Sequence, residues 1–138
     1  MNQPAGQANH SPYTEDVSRF IVQSRWVRQD RTIRHTAFLP NPRTNPLATS
    51  VTMIGGLSSQ EIWRIAQGVA TSMGKDLHGR SDISAETLSS ASLHLSITPT
   101  PQNPQHADIT GWPDDKPNQL LRAQKLAAKA SRLITSNS

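Results

Sequence analysis

Between residues 57 and 74, LSSQEIWRIAQGVATSMG, apolar side chains return at helical spacing. Wound at roughly 100° per residue, Ile62, Trp63, Ile65, Ala66, Val69, Ala70 and Met73 share one broad face, and Arg64, Gln67, Thr71 and Ser72 share the other. Ser58 with Glu61 three residues on is a capping-box pattern, and Gly74 supplies a left-handed stop. This stretch predicts an amphipathic core helix. A second helix is predicted over residues 118–134. There Leu120, Ala123, Leu126, Ala127, Ala130, Leu133 and Ile134 form the apolar arc, and Arg122, Lys125, Lys129 and Arg132 form a basic stripe on the far side. Pro117, behind two acids, suits a helix start.

Period-two alternation marks the strands. Over residues 91–98, ASLHLSIT, Leu93, Leu95 and Ile97 face one way and Ser92, His94, Ser96 and Thr98 the other. Residues 50–54, SVTMI, alternate in the same manner, and residues 106–112 read as a short returning strand. Residues 31–39, RTIRHTAFL, are assigned to a strand on their Ile, Thr and Phe content. A short helix is expected from Thr14, with Val17, Phe20 and Ile21 on one side. The prolines of 40–46 and the TPTPQNPQ run make loops, 75–84 reads as a polar turn-rich loop, and SAETL as one helical turn opened by Ser84. The expected fold class is α+β, a small, mostly antiparallel sheet of about four strands with two or three packed helices. Residues 1–13 read as a disordered arm, 14–134 as a single domain and 135–138 as a frayed tail.

Composition removes some chemistry. Without cysteine there is no disulfide, thiolate metal site or thiol nucleophile. No apolar run reaches the roughly 20 residues of a membrane helix, and the N-terminus has no secretory pattern, so a cytoplasmic protein with no membrane partner is expected. The net charge of +4 is unevenly placed. Arg19, Arg25, Arg28, Arg31, Arg34 and Arg43 stand against the single acid Asp30 between residues 17 and 43. Such a field attracts polyanions through steering and counterion release. Arg25, Arg28, Arg31 and Arg34, with Arg122, Lys125, Lys129 and Arg132 as a second face, are the candidate residues for nucleic acid or another phosphate-bearing ligand. Trp26, beside Arg25 and Arg28, could offer a stacking plane.

Catalytic candidates are His35, His78, His94 and His106; His10 lies in the N-terminal arm and is set aside. Paired imidazoles near arginines could act as acid and base on a phosphodiester or nucleotide bond. The tripeptide His94-Leu95-Ser96 has the His-x-Ser spacing of two-histidine phosphoesterases, but the second such tripeptide is missing. Asp76 with His78, and His106 with Asp108, supply two metal ligands each, too few for a site, so no metal and no cofactor is expected. Gly55-Gly56 before the helix lacks the spacing and lysine of a phosphate loop and reads as a tight connection, and Asp76 to Asp82, with Gly79 and Arg80, as an ordinary turn.

The segments SVTMIGGLSSQEIW, DLHGRSDIS and HADITGWPDDKPNQLLRAQKLA resemble a group of small bacterial proteins with no established activity. The resemblance implies a self-contained bacterial domain and carries over no functional residue. Three functions are therefore expected to compete: a non-catalytic module for nucleic acid or a phosphate-rich partner, a protein-interaction or accessory domain, and a histidine-dependent enzyme. Oligomeric state has no signature.

Overall fold

The computed structural model describes residues 15–136. The expected N-terminal arm, with His10, lies outside them. Five strands form one sheet in the order β3-β1-β2-β5-β4: β1 (Val17–Ile21), β2 (Thr49–Met53), β3 (Gly79–Ile83), β4 (His94–Ile97) and β5 (His106–Thr110). Every neighbouring pair is antiparallel. Three α-helices, α1 (Ser59–Ser72), α2 (Ala85–Ser90) and α3 (Lys116–Lys129), complete an α+β fold with one strand more than expected.

One face of the sheet is closed by α3 and a short 3-10 helix, His35–Phe38. Val17, Ile21, Val51, Met53, Ile83, Leu95, Ala107 and Ile109 pack there with Ala37, Phe38, Trp112, Ala123 and Leu126. Among the described residues the opposite face is covered only at its β3-β1 end, where α1 sets Ile62 and Ala66 against Phe20. The Ser58 hydroxyl accepts from Glu61 N at 3.1 Å and Ser58 N donates to Glu61 Oε1 at 2.9 Å, so the capping box forms as expected. At the other end Gly74, at φ 66°, turns the chain so that Lys75 N reaches Ala70 O.

The departures from expectation have identifiable causes. Residues 17–21 form a strand, not a helix, and a strand buried on both faces loses the polar alternation that would announce it. Residues 79–83 form a strand that the sequence reads as a loop, because its charges cancel in place: Arg80 Nη1 lies 2.9 Å from Asp82 Oδ1, and the guanidinium lies 5.4 Å from the Trp63 ring centroid. Residues 31–39 are not a strand. Ile33, Ala37 and Phe38 are all buried, at spacings of four and one, which suits a helical turn. The last helix stops at Lys129, and residues 131–134 run beside the outer edge of β3 instead. Ile134 and Arg80 exchange backbone hydrogen bonds, and the Ser81 hydroxyl donates to Ser131 O. Gly79 permits that approach, since a Cβ there would lie 2.5 Å from Ile134 O.

Candidate functional site

Arg25, Arg28, Arg31 and Arg34 lie on an exposed loop shaped as a small hairpin, with a Val27↔Ile33 bridge and Arg31 at φ 72° at its turn. The single acid of this stretch is tied down, its carboxylate accepting from Thr32 N at 3.0 Å and from the Thr32 hydroxyl at 2.6 Å. Those bonds from Thr32, the hydroxyl's first, hold Asp30 below the usual carboxylate range, with Arg132 and Arg28 adding a smaller push the same way.

The loop is joined to the segment that follows the basic helix. Leu133 N donates to Arg31 O at 2.8 Å, and Arg31 Nη2 donates back to Leu133 O at 3.0 Å. Between loop and helix runs a shallow groove of about 540 Å³, with Arg28, Thr32, Ile33 and His35 on one wall and Gln124, Ala127 and Ala128 on the other. Lys125, Lys129 and Arg132 are exposed. On the helical wheel Lys125 and Lys129 occupy the flank of α3 away from this groove, about one helix diameter, roughly 10 Å, from it. Arg122 is drawn elsewhere: its Nη1 donates to Ser92 O at 3.2 Å and Gly111 O at 3.0 Å, clamping the turn beside β4 and β5. Two basic segments distant in sequence thus flank the exposed side of α3, the arginine loop along one edge and Lys125 and Lys129 along the other, while Arg122 is engaged elsewhere.

Trp26 does not present a free plane there, because the Arg19 guanidinium covers its ring at 5.0 Å. Arg19 is the residue that sequence reasoning passed over. The β1-β2 ladder holds only Val17↔Met53 and Ser18↔Thr52 and then parts. Into the opening goes Arg19, whose Nε donates to Ala37 O at 2.7 Å and Nη1 to Ser50 O at 3.0 Å. The parted strands bound a cleft of about 430 Å³. Its walls include Phe20, Val22, Val69 and Met73, and its polar groups include Thr52, Asn103 and His106. Asn103 is buried and anchors the proline-rich loop by donating to the Thr52 hydroxyl at 2.8 Å. A loop asparagine between turn residues is too common a signal to have predicted this.

The histidines separate. His94 and His106 point to the same open face of the sheet, but His94 is opposite Thr110 and His106 opposite Thr52 and beside Thr98. A four-residue offset along the ladder puts them roughly 13 Å apart, too far for one phosphate to touch both. His35 lines the α3 groove on the other face, and His78 is exposed just before β3. His106 Nδ1 contacts the Thr98 hydroxyl and carbonyl, each at 2.9 Å, and its Nε2 is 3.9 Å from Asp108. Among the described residues no three His, Asp or Glu side chains cluster to hold a metal ion, and no helix is long and apolar enough to cross a membrane. Compared with models of protein families, with characterised proteins and with solved structures, the chain matches none.

Proposed function

We propose that this protein is a non-catalytic binding module for nucleic acid. The observation that carries the reading is the two-way link between Arg31 and Leu133, which ties the arginine loop to the segment leaving α3. Arg25, Arg28, Arg31, Arg34, Lys125, Lys129 and Arg132 are exposed around α3 and the chain that follows it, and Asp30, the acid of the arginine loop, is held by Thr32. Residues 116–138 contain no acid at all. A broad, shallow, positively charged surface without convergent polar groups suits a phosphate backbone better than it suits a reacting bond. Arg31 and Arg28 are also partly braced by carbonyls, which lowers the entropy lost when each meets a phosphate.

The test is polarisation of labelled mixed-sequence single-stranded RNA and duplex DNA across a salt series. Binding at low salt should weaken linearly on a log-log plot, and replacing Lys125, Lys129 and Arg132 with Ala should reduce the duplex slope by about 3. Absence of binding at low salt, or binding indifferent to salt, rejects the proposal.

A further inference from the structure

The cleft between β1 and β2 shares none of its lining with the basic surface just described. Its chemistry is organised around one cation. Among the described residues, which include all ten acids of the chain, no carboxylate lies within ion-pair distance of Arg19. Two backbone carbonyls and the Trp26 ring surround it. Carbonyl dipoles and a ring quadrupole soften the cost of a desolvated charge without cancelling it. Burial lowers the Arg19 pKa to about 10, so it remains a cation at neutral pH. A guanidinium has five N–H donors, and the two hydrogen bonds to carbonyls use only part of that capacity.

The space around it has the character of a ligand site. A volume of about 430 Å³ falls in the range of small-molecule pockets, roughly 300 to 1,000 Å³. Apolar walls from Phe20, Val22, Val69 and Met73 meet a few convergent polar groups, and Lys75 adds a second positive charge at an exposed position. Met73, the C-cap residue of α1, is 54% exposed although it continues that helix's apolar face, so the cleft leaves apolar surface for a ligand to cover. The opening itself follows from the sheet. If β1 and β2 stayed paired, the carbonyl of Ser50 would be occupied by a strand neighbour; their parting leaves it to hold Arg19 at the edge of the cavity.

We propose that this cleft binds a small organic anion, a carboxylate or phosphate head on a flat apolar body, with the head at Arg19 and the body against Phe20, Val22 and Val69. Arg19 supplies the charge complement, and His106 borders the cleft on the β2-β5 side. Because the carboxylate and phosphate heads share one recognition chemistry, the experiment separates them.

The intact chain is titrated by two-dimensional NMR with benzoate, phenyl phosphate and the neutral isostere benzyl alcohol. The expected result is a saturable shift of the Trp26 indole and of the Thr52 and Asn103 amides by at least one anion, at concentrations below about 10 mM. Benzyl alcohol should bind at least about tenfold more weakly. Whichever anion binds more tightly identifies the head. Arg19→Met, which keeps the length and apolar stem, should lose about tenfold in affinity for that anion while leaving benzyl alcohol unchanged. The proposal is overturned if neither anion gives a saturable shift in the cleft, if the shifts fall instead on Arg28, Lys129 and Arg132, or if the neutral isostere binds as well as the anions. The last comparison uses the parent protein, so it decides the matter even if Arg19→Met does not fold.

Discussion

On the α3 side of the sheet, alternate residues of β1, β2, β4 and β5 close a continuous dry layer; on the α1 side the same strands offer Ser50, Thr52, His94, Ser96, His106, Asp108 and Thr110, and among the described residues only the β3-β1 end is covered. The contrast comes from the period of two: each strand gives one set of residues to packing and the other to water or partners. Even the covered end of the α1 side is partly polar, with Arg80 and Asp82 beneath Trp63. The dry face holds the fold, while the wet face frees residues for a cleft.

The largest test of this asymmetry compares neighbours on β5. Ile109 is fully buried between β2 and β4, so Ile109→Ala should cost about 2 to 5 kcal/mol in urea unfolding. Thr110, next along but on the wet face, should change by no more than about 0.5 kcal/mol on conversion to Ala. Comparable losses at the two positions would show that the faces do not divide the work as described.

A second test loosens the edge where the dry layer meets the basic surface. Gly79→Ala puts a Cβ against Ile134 O and Leu133 Cδ1 at a backbone φ of 152°, so residues 131–134 must move. We expect a loss of about 1 to 3 kcal/mol. Because Leu133 also holds Arg31, nucleic-acid affinity should fall with it. Full affinity in a folded Gly79→Ala protein would mean that the basic surface does not depend on the Arg31-Leu133 link.

Much of this was legible in the sequence, and what escaped has a common cause. Helix α1 with its Ser58-Glu61 cap, β2 and β4 follow directly from their periods, because each has one apolar and one polar side. Strand β1 is hidden by burial on both faces, and β3 by the pairing of Arg80 with Asp82, which makes a largely buried strand look like a turn. The basic residues could be read off the chain, but not their division. That Arg122 is spent on Ser92 O and Gly111 O, and that Arg19 turns inward, depends on carbonyls left free by tertiary structure. Side-chain fate at such positions is set by acceptors far away in sequence.

A smaller effect separates the charged groups on the two sides. Lys125→Ala and Lys129→Ala should each leave stability within about 0.5 kcal/mol, since both side chains are exposed. Their effect should appear in the salt dependence of nucleic-acid binding alone. A large stability loss from either would assign the α3 stripe a structural role instead.

The subtlest prediction concerns pH and uses Asp82, the charged group under α1. Burial raises its pKa above the ordinary 3.8, only partly offset by the Ser18 hydroxyl and Arg80. A carboxyl whose folded value is raised binds more protons in the folded state than in the unfolded one. Its contribution to stability is therefore fully present below 3.8 and is lost as pH climbs through the raised folded value. Asp30 and Glu61 run the other way: hydrogen bonds from Thr32 and from Ser58 lower their values, so their stabilisation is present above the unfolded values of 3.8 and 4.5 and is lost as pH falls. Asp30 acts below pH 3.8, whereas just above it, up to about 4.5, Glu61 and Asp82 oppose one another. Asp82→Asn removes the opposing member, and the gain in stability on raising pH through that interval should become steeper than in the parent protein, read as the urea midpoint at each pH. A shallower rise would mean that Arg80 outweighs burial at Asp82, and that the covered end of the wet face is held by its ion pair rather than in spite of it.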